Sequence, residues 1–130
     1  MWFGNLVTMR WWDDLWLQEA FATALTERAC SVGGALVDQF KSEAWIHLSG
    51  YKRWGLAEDM LQTNHKILAE CQSTDTAEQS IDGITFGKGS AVIKQLIFLM
   101  GWETFSNGLK IYFRKFKWQS ATLADFIHSL

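Results

Sequence analysis

The sequence has 130 residues, 48% of them hydrophobic and 20% charged, with a formal net charge of -2. That length suits one domain with a sizeable core, and the composition excludes disordered and fibrous classes. The slightly acidic balance, pI near 5.9, offers no global attraction to nucleic acid or anionic lipid.

Eight Trp and nine Phe must be buried inside the chain or against something beyond it. The longest apolar stretch, "AVIKQLIFLM", is interrupted by Lys94 and Gln95 and is too short for a membrane span. The N-terminus has no basic region leading into an apolar core, so no secretory signal is expected. Cys30 and Cys71 lack metal-type or redox-type spacing and read as buried free thiols, which favours a reducing, cytoplasmic compartment.

In chain order, Gly4-Asn5 interrupts the first residues and "LVTM" reads as extended or irregular. Asp13 and Asp14 then mark a helix start, where carboxylates cap free amides and suit the positive end of the dipole. This helix is predicted to run to about Cys30 and to stop at Gly33-Gly34. A second is predicted over "ALVDQFKSEAWIHLS", with Val37, Phe40, Ala44 and Leu48 on its apolar side, ending at Gly50. "YKRWGLAEDML" can hold another short helix, and "QTNHKILAECQSTDTAEQSIDG" reads as a surface loop. From Lys88 to Met100 the pattern is helical, with Gly101 at the C-cap. Trp102, Phe105, Leu109, Tyr112, Phe113 and Phe116 then recur at helical spacing, with Lys110, Arg114 and Lys117 on the other side. Thr122 and Asp125 imitate a capping box that opens a last helix. With no Pro in the chain, the expected fold class is all-α.

Glu19 is the conspicuous candidate. In a helix starting near Trp12 it shares a face with Trp12, Leu15, Trp16, Ala22 and Thr23, the apolar stripe. An ionised carboxylate there costs several kcal/mol unless a cation, a hydrogen-bond donor or a metal compensates. The residues alone leave open a buried indole, a backbone donor or a metal. Glu43 and His47 are four apart and could bind a metal, but the paired Glu-x-x-His motifs of two-metal bundles do not occur, so a local ion pair or exposure is the plainer reading. His65 and His128 read as bystanders. "YFRKFKW" interleaves cations and aromatics as single-strand nucleic-acid binders do, yet its periodicity separates them onto opposite faces. "GITFGKGS" lacks the full spacing of a phosphate loop, and Lys88 opens the following helix instead.

"WFGNLVTMRWWDDLWLQEAFA" resembles the zinc-ligand region of the aminopeptidase N (alanyl aminopeptidase) family of zinc metallopeptidases. There, a His-Glu-x-x-His turn runs directly into such a segment, and the Glu of "WLNE" is the third ligand. In that register the second His falls just before Met1 and the third ligand is Glu19. "DGITFGKGSAVIKQL", "FSNGLKIYFRKF" and "TLADFIHSL" resemble later parts of the family, so the likeness covers essentially the whole chain.

The resemblance implies the helical part of a thermolysin-like (gluzincin) catalytic domain, residues 1–130 being a piece truncated at both ends. It implies Zn²⁺ held by two His and one Glu, and peptide substrates that lose their N-terminal residue. Trp12 and Trp16 would wall off the metal. The His-Glu-x-x-His motif and the Gly-x-Met-Glu-Asn amine clamp are not in this sequence. Gln18 and Ala20 replace the usual Asn and Gly, and Phe86 stands where the family carries an oxyanion-stabilising Tyr. The chain alone is expected neither to hold zinc nor to catalyse. Without neighbouring domains it is expected to expose apolar patches and to associate. The alternative is a non-catalytic binding or assembly module, for which Phe86 is the main support.

Overall fold

The computed structural model describes residues 2–32 and 38–130, without the side chains of residues 38–43 and 45. Gly33-Gly34, Val37 and the side chains of Phe40 and Glu43 therefore lie outside the described residues. The N-terminal segment turns at Gly4, whose φ of 98° favours a residue without Cβ. It then enters β1 (Val7–Met9). A short 3₁₀ turn at Trp12–Asp14 leads into α1 (Leu15–Val32), followed by α2 (Asp38–Asp59) and α3 (Thr74–Gln79). A π-helical turn, Ile84–Lys88, runs directly into α4 (Gly89–Met100). After Gly101 come α5 (Trp102–Phe116), β2 (Gln119–Ala121) and α6 (Leu123–Ile127).

The all-α expectation holds, with one small addition. The "LVTM" segment, expected to be extended, pairs in parallel with β2, Val7 opposite Gln119 and Met9 opposite Ala121. This two-stranded pairing ties the start of the chain to its end. Between them sits an aromatic core. Phe21 of α1 stacks on Phe3 at a 4.3 Å centroid distance and meets Phe126 of α6 edge-on at 4.9 Å. Tyr112 of α5 stands edge-on to the same Phe126 at 5.6 Å. Edge and offset geometries of this kind add to the burial of large rings.

The aspartates do something the local pattern does not reveal. Instead of capping the helix they precede, Asp13 accepts the Cys71 amide at 2.5 Å and Asp14 accepts the Leu123 amide at 2.9 Å. Burial raises the Asp14 carboxyl, and the Leu123 bond partly opposes that. Leu123 is the first residue of α6, so a carboxylate on the 3₁₀ turn serves the free amides of a distant helix. The expected capping box is present: Thr122 Oγ1 accepts the Asp125 amide and Asp125 accepts the Thr122 amide. The Thr122 amide, and after it the Thr122 hydroxyl donating to the same Asp125 oxygen at 2.9 Å, hold the Asp125 carboxyl below its ordinary value.

Three sequence expectations are corrected. The second helix does not end at Gly50, because α2 runs on through Gly50 and Gly55 to Asp59. The stretch expected as a surface loop contains α3, capped by Ser73 Oγ on the Thr76 amide, with Ala77 and Cys71 buried. The other cysteine, Cys30, is only half-buried, and both thiols are free.

A close crossing explains the persistence of α2. A Cβ on Gly55 would lie 2.6 Å from the Gly83 carbonyl oxygen and 2.7 Å from the Lys88 nitrogen, and one on Gly87 would overlap the Tyr51 carbonyl. Backbones meet where side chains are missing, and the contact outweighs the modest helix penalty of glycine. The expected contrast in α2 follows. Gly50, with nothing near its Cβ position, should gain about 0.5–1 kcal/mol on substitution by Ala, whereas Gly55→Ala should lose about 1–3 kcal/mol or more through overpacking. Urea midpoints of the two variants check this, and shifts of the same sign would contradict it.

Candidate functional site

Glu19 occupies the second turn of α1. The buried face of that helix is formed by Trp16, Leu17, Ala20, Phe21 and Ala24, and Glu19 is half-buried at its margin. Trp12 and Ala22, expected on the same apolar stripe, are exposed, Trp12 by 40%. Ala22 lies inside α1 on its exposed side, whereas for Trp12 the cause is geometric. Trp12 belongs to a 3₁₀ turn with three residues per turn, so a 3.6-residue period cannot be extended back to it.

The surroundings of the Glu19 carboxylate are sparse. Oε1 accepts the Gln18 side-chain amide at 3.0 Å, and among the described residues no cation pairs with it. Gln18 is held in turn by the Gly4 bend. A Cβ at position 4 would come within 2.6 Å of the Gln18 amide carbon. The glycine of "WFGN" thus lets the chain lie flat against the residue that orients one oxygen of Glu19. Thr23 donates its hydroxyl to the Glu19 carbonyl at 3.0 Å, leaving the carboxylate uninvolved.

Phe86 sits in the π-helical turn, half-buried and stacked on Trp54 of α2 at 6.2 Å and 28°. The turn begins on Asp82. Its Oδ1 accepts the amides of Ile84 and Thr85 at 2.9 and 3.1 Å, and its Oδ2 meets His65 Nε2 at 3.0 Å. His65, read from sequence as a bystander, therefore clamps the start of the segment that presents Phe86. Single π-helical turns are uncommon and recur at functional sites.

The structure brings the turns of Glu19 and Phe86 together. Gly89, one turn after Phe86, lies so close to α1 that its Cβ would come 3.0 Å from Ala20 Cβ and 3.4 Å from Trp16. The other sequence candidates do not join them. Lys88 donates to Asp59 at 2.7 Å, which agrees with a helix-opening lysine rather than a phosphate-binding one. His47 is exposed on α2, and the side chain of its expected partner Glu43 lies outside the described residues. The His128 Nδ1 meets the Ala124 carbonyl. Among the described residues, no group of three His, Cys, Asp or Glu side chains could hold a metal ion. No described helix is long and apolar enough to cross a membrane.

Glu27 is the carboxylate that the sequence reading missed. It is buried and falls three residues after Ala24 and seven after Ala20, so extending the true buried stripe would have found it. Burial raises its carboxyl above the ordinary 4.5, with nearby His47 opposing.

Comparison with known proteins gives a consistent picture. The model of the peptidase family M1 domain matches residues 1–130. An "Aminopeptidase N" of Streptomyces lividans is 37% identical over 135 aligned residues, covering 100% of this chain and 15% of that protein. A "Leucyl aminopeptidase" of Saccharolobus solfataricus is 36% identical over 99% of this chain and 16% of its own length. A "Puromycin-sensitive aminopeptidase" of Caenorhabditis elegans is 34% identical over 96% of this chain and 13% of its own length. The chain thus spans less than a fifth of the length of these curated relatives.

The raised Glu27 carboxyl makes a signed prediction. The folded chain keeps this proton at a pH where the unfolded chain has released it, so stability falls as pH rises from 4.5 through the folded value. Glu27→Gln removes that loss. Thermal melts should show the variant more stable than the parent near neutral pH, with the difference shrinking as the medium is acidified below that window. A variant less stable at neutral pH would contradict the assignment.

Proposed function

Because the chain belongs to peptidase family M1, we propose that it is part of a zinc-dependent aminopeptidase in which Glu19 is one ligand of the metal. Residues 1–130 are read as a partial catalytic domain, and the other ligands would come from a His-Glu-x-x-His segment outside this sequence. The observation that carries the reading is the Glu19 carboxylate, half-buried beside Trp16 and Ala20 and met, among the described residues, only by the Gln18 amide. A carboxylate so situated without a counter-charge is what a dication would compensate.

When bound, zinc supplies Lewis-acid chemistry, lowering the pKa of water and polarising a peptide carbonyl. The residues of this chain do the positioning. Gln18 fixes one Glu19 oxygen and leaves the other for the metal, as outer hydrogen bonds to ligating carboxylates do. Trp16 and Ala20 shield the near side from water and pack the ligand-bearing turn on Gly89. Phe86 supplies an apolar wall and no proton. A tyrosine hydroxyl at that position would donate to the oxyanion, a contribution typically of about 10²- to 10³-fold in turnover.

A second reading rests on Phe86 itself: with that donor missing, the aminopeptidase-like helices could serve as a non-catalytic binding or assembly module. The two readings separate experimentally. The purified 130-residue chain should contain no stoichiometric zinc and should not hydrolyse alanyl-anilide substrates, since useful affinity needs three or four convergent ligands. A polypeptide extended upstream through a His-Glu-x-x-His segment should bind one zinc, lose it in Glu19→Ala, and gain turnover in Phe86→Tyr. Zinc retention by the Glu19→Ala variant would overturn the ligand assignment, and absence of any gain in Phe86→Tyr would favour the binding module.

A further inference from the structure

His65 follows α2 in the chain, and both of its ring nitrogens meet acceptors. Nδ1 is 2.7 Å from the Lys66 carbonyl oxygen, and Nε2 is 3.0 Å from Asp82 Oδ2. A carbonyl oxygen has no proton to give. Asp82, which accepts the Ile84 and Thr85 amides at Oδ1, presents a second acceptor at Oδ2. Neutral imidazole carries one N–H and one lone pair, whereas the imidazolium donates from both nitrogens. Only the charged ring therefore satisfies both contacts. In the neutral ring, one lone pair is left facing an oxygen lone pair at hydrogen-bond distance.

The charges around the ring leave Asp82 as its counter-ion. Lys66, the next residue, is exposed. Asp59 at the end of α2 accepts the Asn64 side-chain amide at its carbonyl, at 2.8 Å, while its carboxylate is engaged by Lys88 at 2.7 Å. The side chains of His65 and Asp82 are only 23% and 22% exposed, so the pair is less screened than an ion pair in open water. Asp82 transmits the contact. Its Oδ1 holds the first two amides of the π-helical turn, and its carbonyl accepts the Phe86 amide at 3.1 Å. A swing of that carboxylate releases the amides that fix where Phe86 stands against Trp54.

We propose that His65 is a positioning residue: its charged ring locks Asp82, and through Asp82 the turn that carries Phe86, and loss of its proton slackens that turn. The step moves one proton from the imidazolium to solvent, and only hydrogen bonds change. Its bearing on turnover rests on the function proposed above, whereas the latch itself needs no zinc.

The 130-residue chain provides the test. The Ile84 and Thr85 amides report directly on the Asp82 carboxylate. Their hydrogen-exchange protection, read by NMR and corrected for intrinsic exchange, should fall at least about tenfold between about pH 5 and about pH 8, where histidines change charge. His65→Gln offers a donor and an acceptor but no charge, and should show the low protection at both pH values. His47→Gln and His128→Gln should keep the parent's response. If His65→Gln compromises folding, judged by circular dichroism, ¹⁵N spectra of the parent's His65 ring decide instead. They should show protons on both nitrogens at the lower pH and on one at the higher, in step with the loss of protection. Protection unchanged with pH, a pH response that survives His65→Gln or disappears in either control, or a ring with a single N–H while the amides stay protected would each overturn the proposal. In a polypeptide extended upstream through the proposed His-Glu-x-x-His segment, kcat should follow the same pH course and lose it in His65→Gln, with zinc content unchanged. A zinc-loaded polypeptide whose kcat ignores the substitution would overturn the role in turnover. Failure of that polypeptide to hold zinc would overturn the function proposed above and not the latch.

Discussion

Three glycines determine how this molecule is assembled. Gly55, Gly83 and Gly87 let the backbones of α2 and the π-helical turn approach so closely that Cβ atoms at these positions would meet carbonyl or amide groups of the facing segment. Since Gly89 continues that segment directly onto Ala20 and Trp16 of α1, one crossing fixes three elements at once. Glu19 and Phe86 are carried on two of them. Their proximity is a consequence of missing side chains more than of any attractive contact between them, and bulk at those glycines would push the turns apart.

Two regions of different character result. One is an aromatic core in which α1, α5, α6 and the N-terminal segment meet around Phe21, Tyr112 and Phe126. Its polar exceptions are few, among them the Tyr112 hydroxyl, buried without a partner among the described residues and pushed up to about 12 by burial, then by Asp125 and Asp14. The other is the glycine crossing, with Glu19 at its margin. It is held by short polar clamps, Asp82 with His65 and Lys88 with Asp59. Core stability and site geometry therefore rest on separate interactions, joined through α1.

Sequence periodicity located α5 and the start of α6 because their signals are local: an apolar stripe, a cationic back and a box closed within three residues. It located Glu19 because a carboxylate near a run of tryptophans is visible without coordinates. It placed that residue at the centre of the buried face, where the structure has it at the rim, because Trp12 lies in a 3₁₀ turn outside the helical phase and Ala22, inside α1, is exposed. The continuation of α2 past Gly50 was not legible, since the compensating partner of Gly55 lies near Gly83 and no local rule reports it. The partners of Asp13 and Asp14 are likewise 58 and 109 residues away. Glu27 was legible in principle, but only once the correct stripe was known.

What compensates the half-buried carboxylate of Glu19 decides the proposed function. Diffraction at the zinc absorption edge from crystals of a polypeptide extended upstream through the proposed His-Glu-x-x-His segment addresses this directly. An anomalous peak about 2.0–2.2 Å from a Glu19 carboxylate oxygen, shared with two histidine nitrogens, is the expected result. A Glu19 side chain paired with an arginine or lysine, with the zinc peak elsewhere, would contradict it.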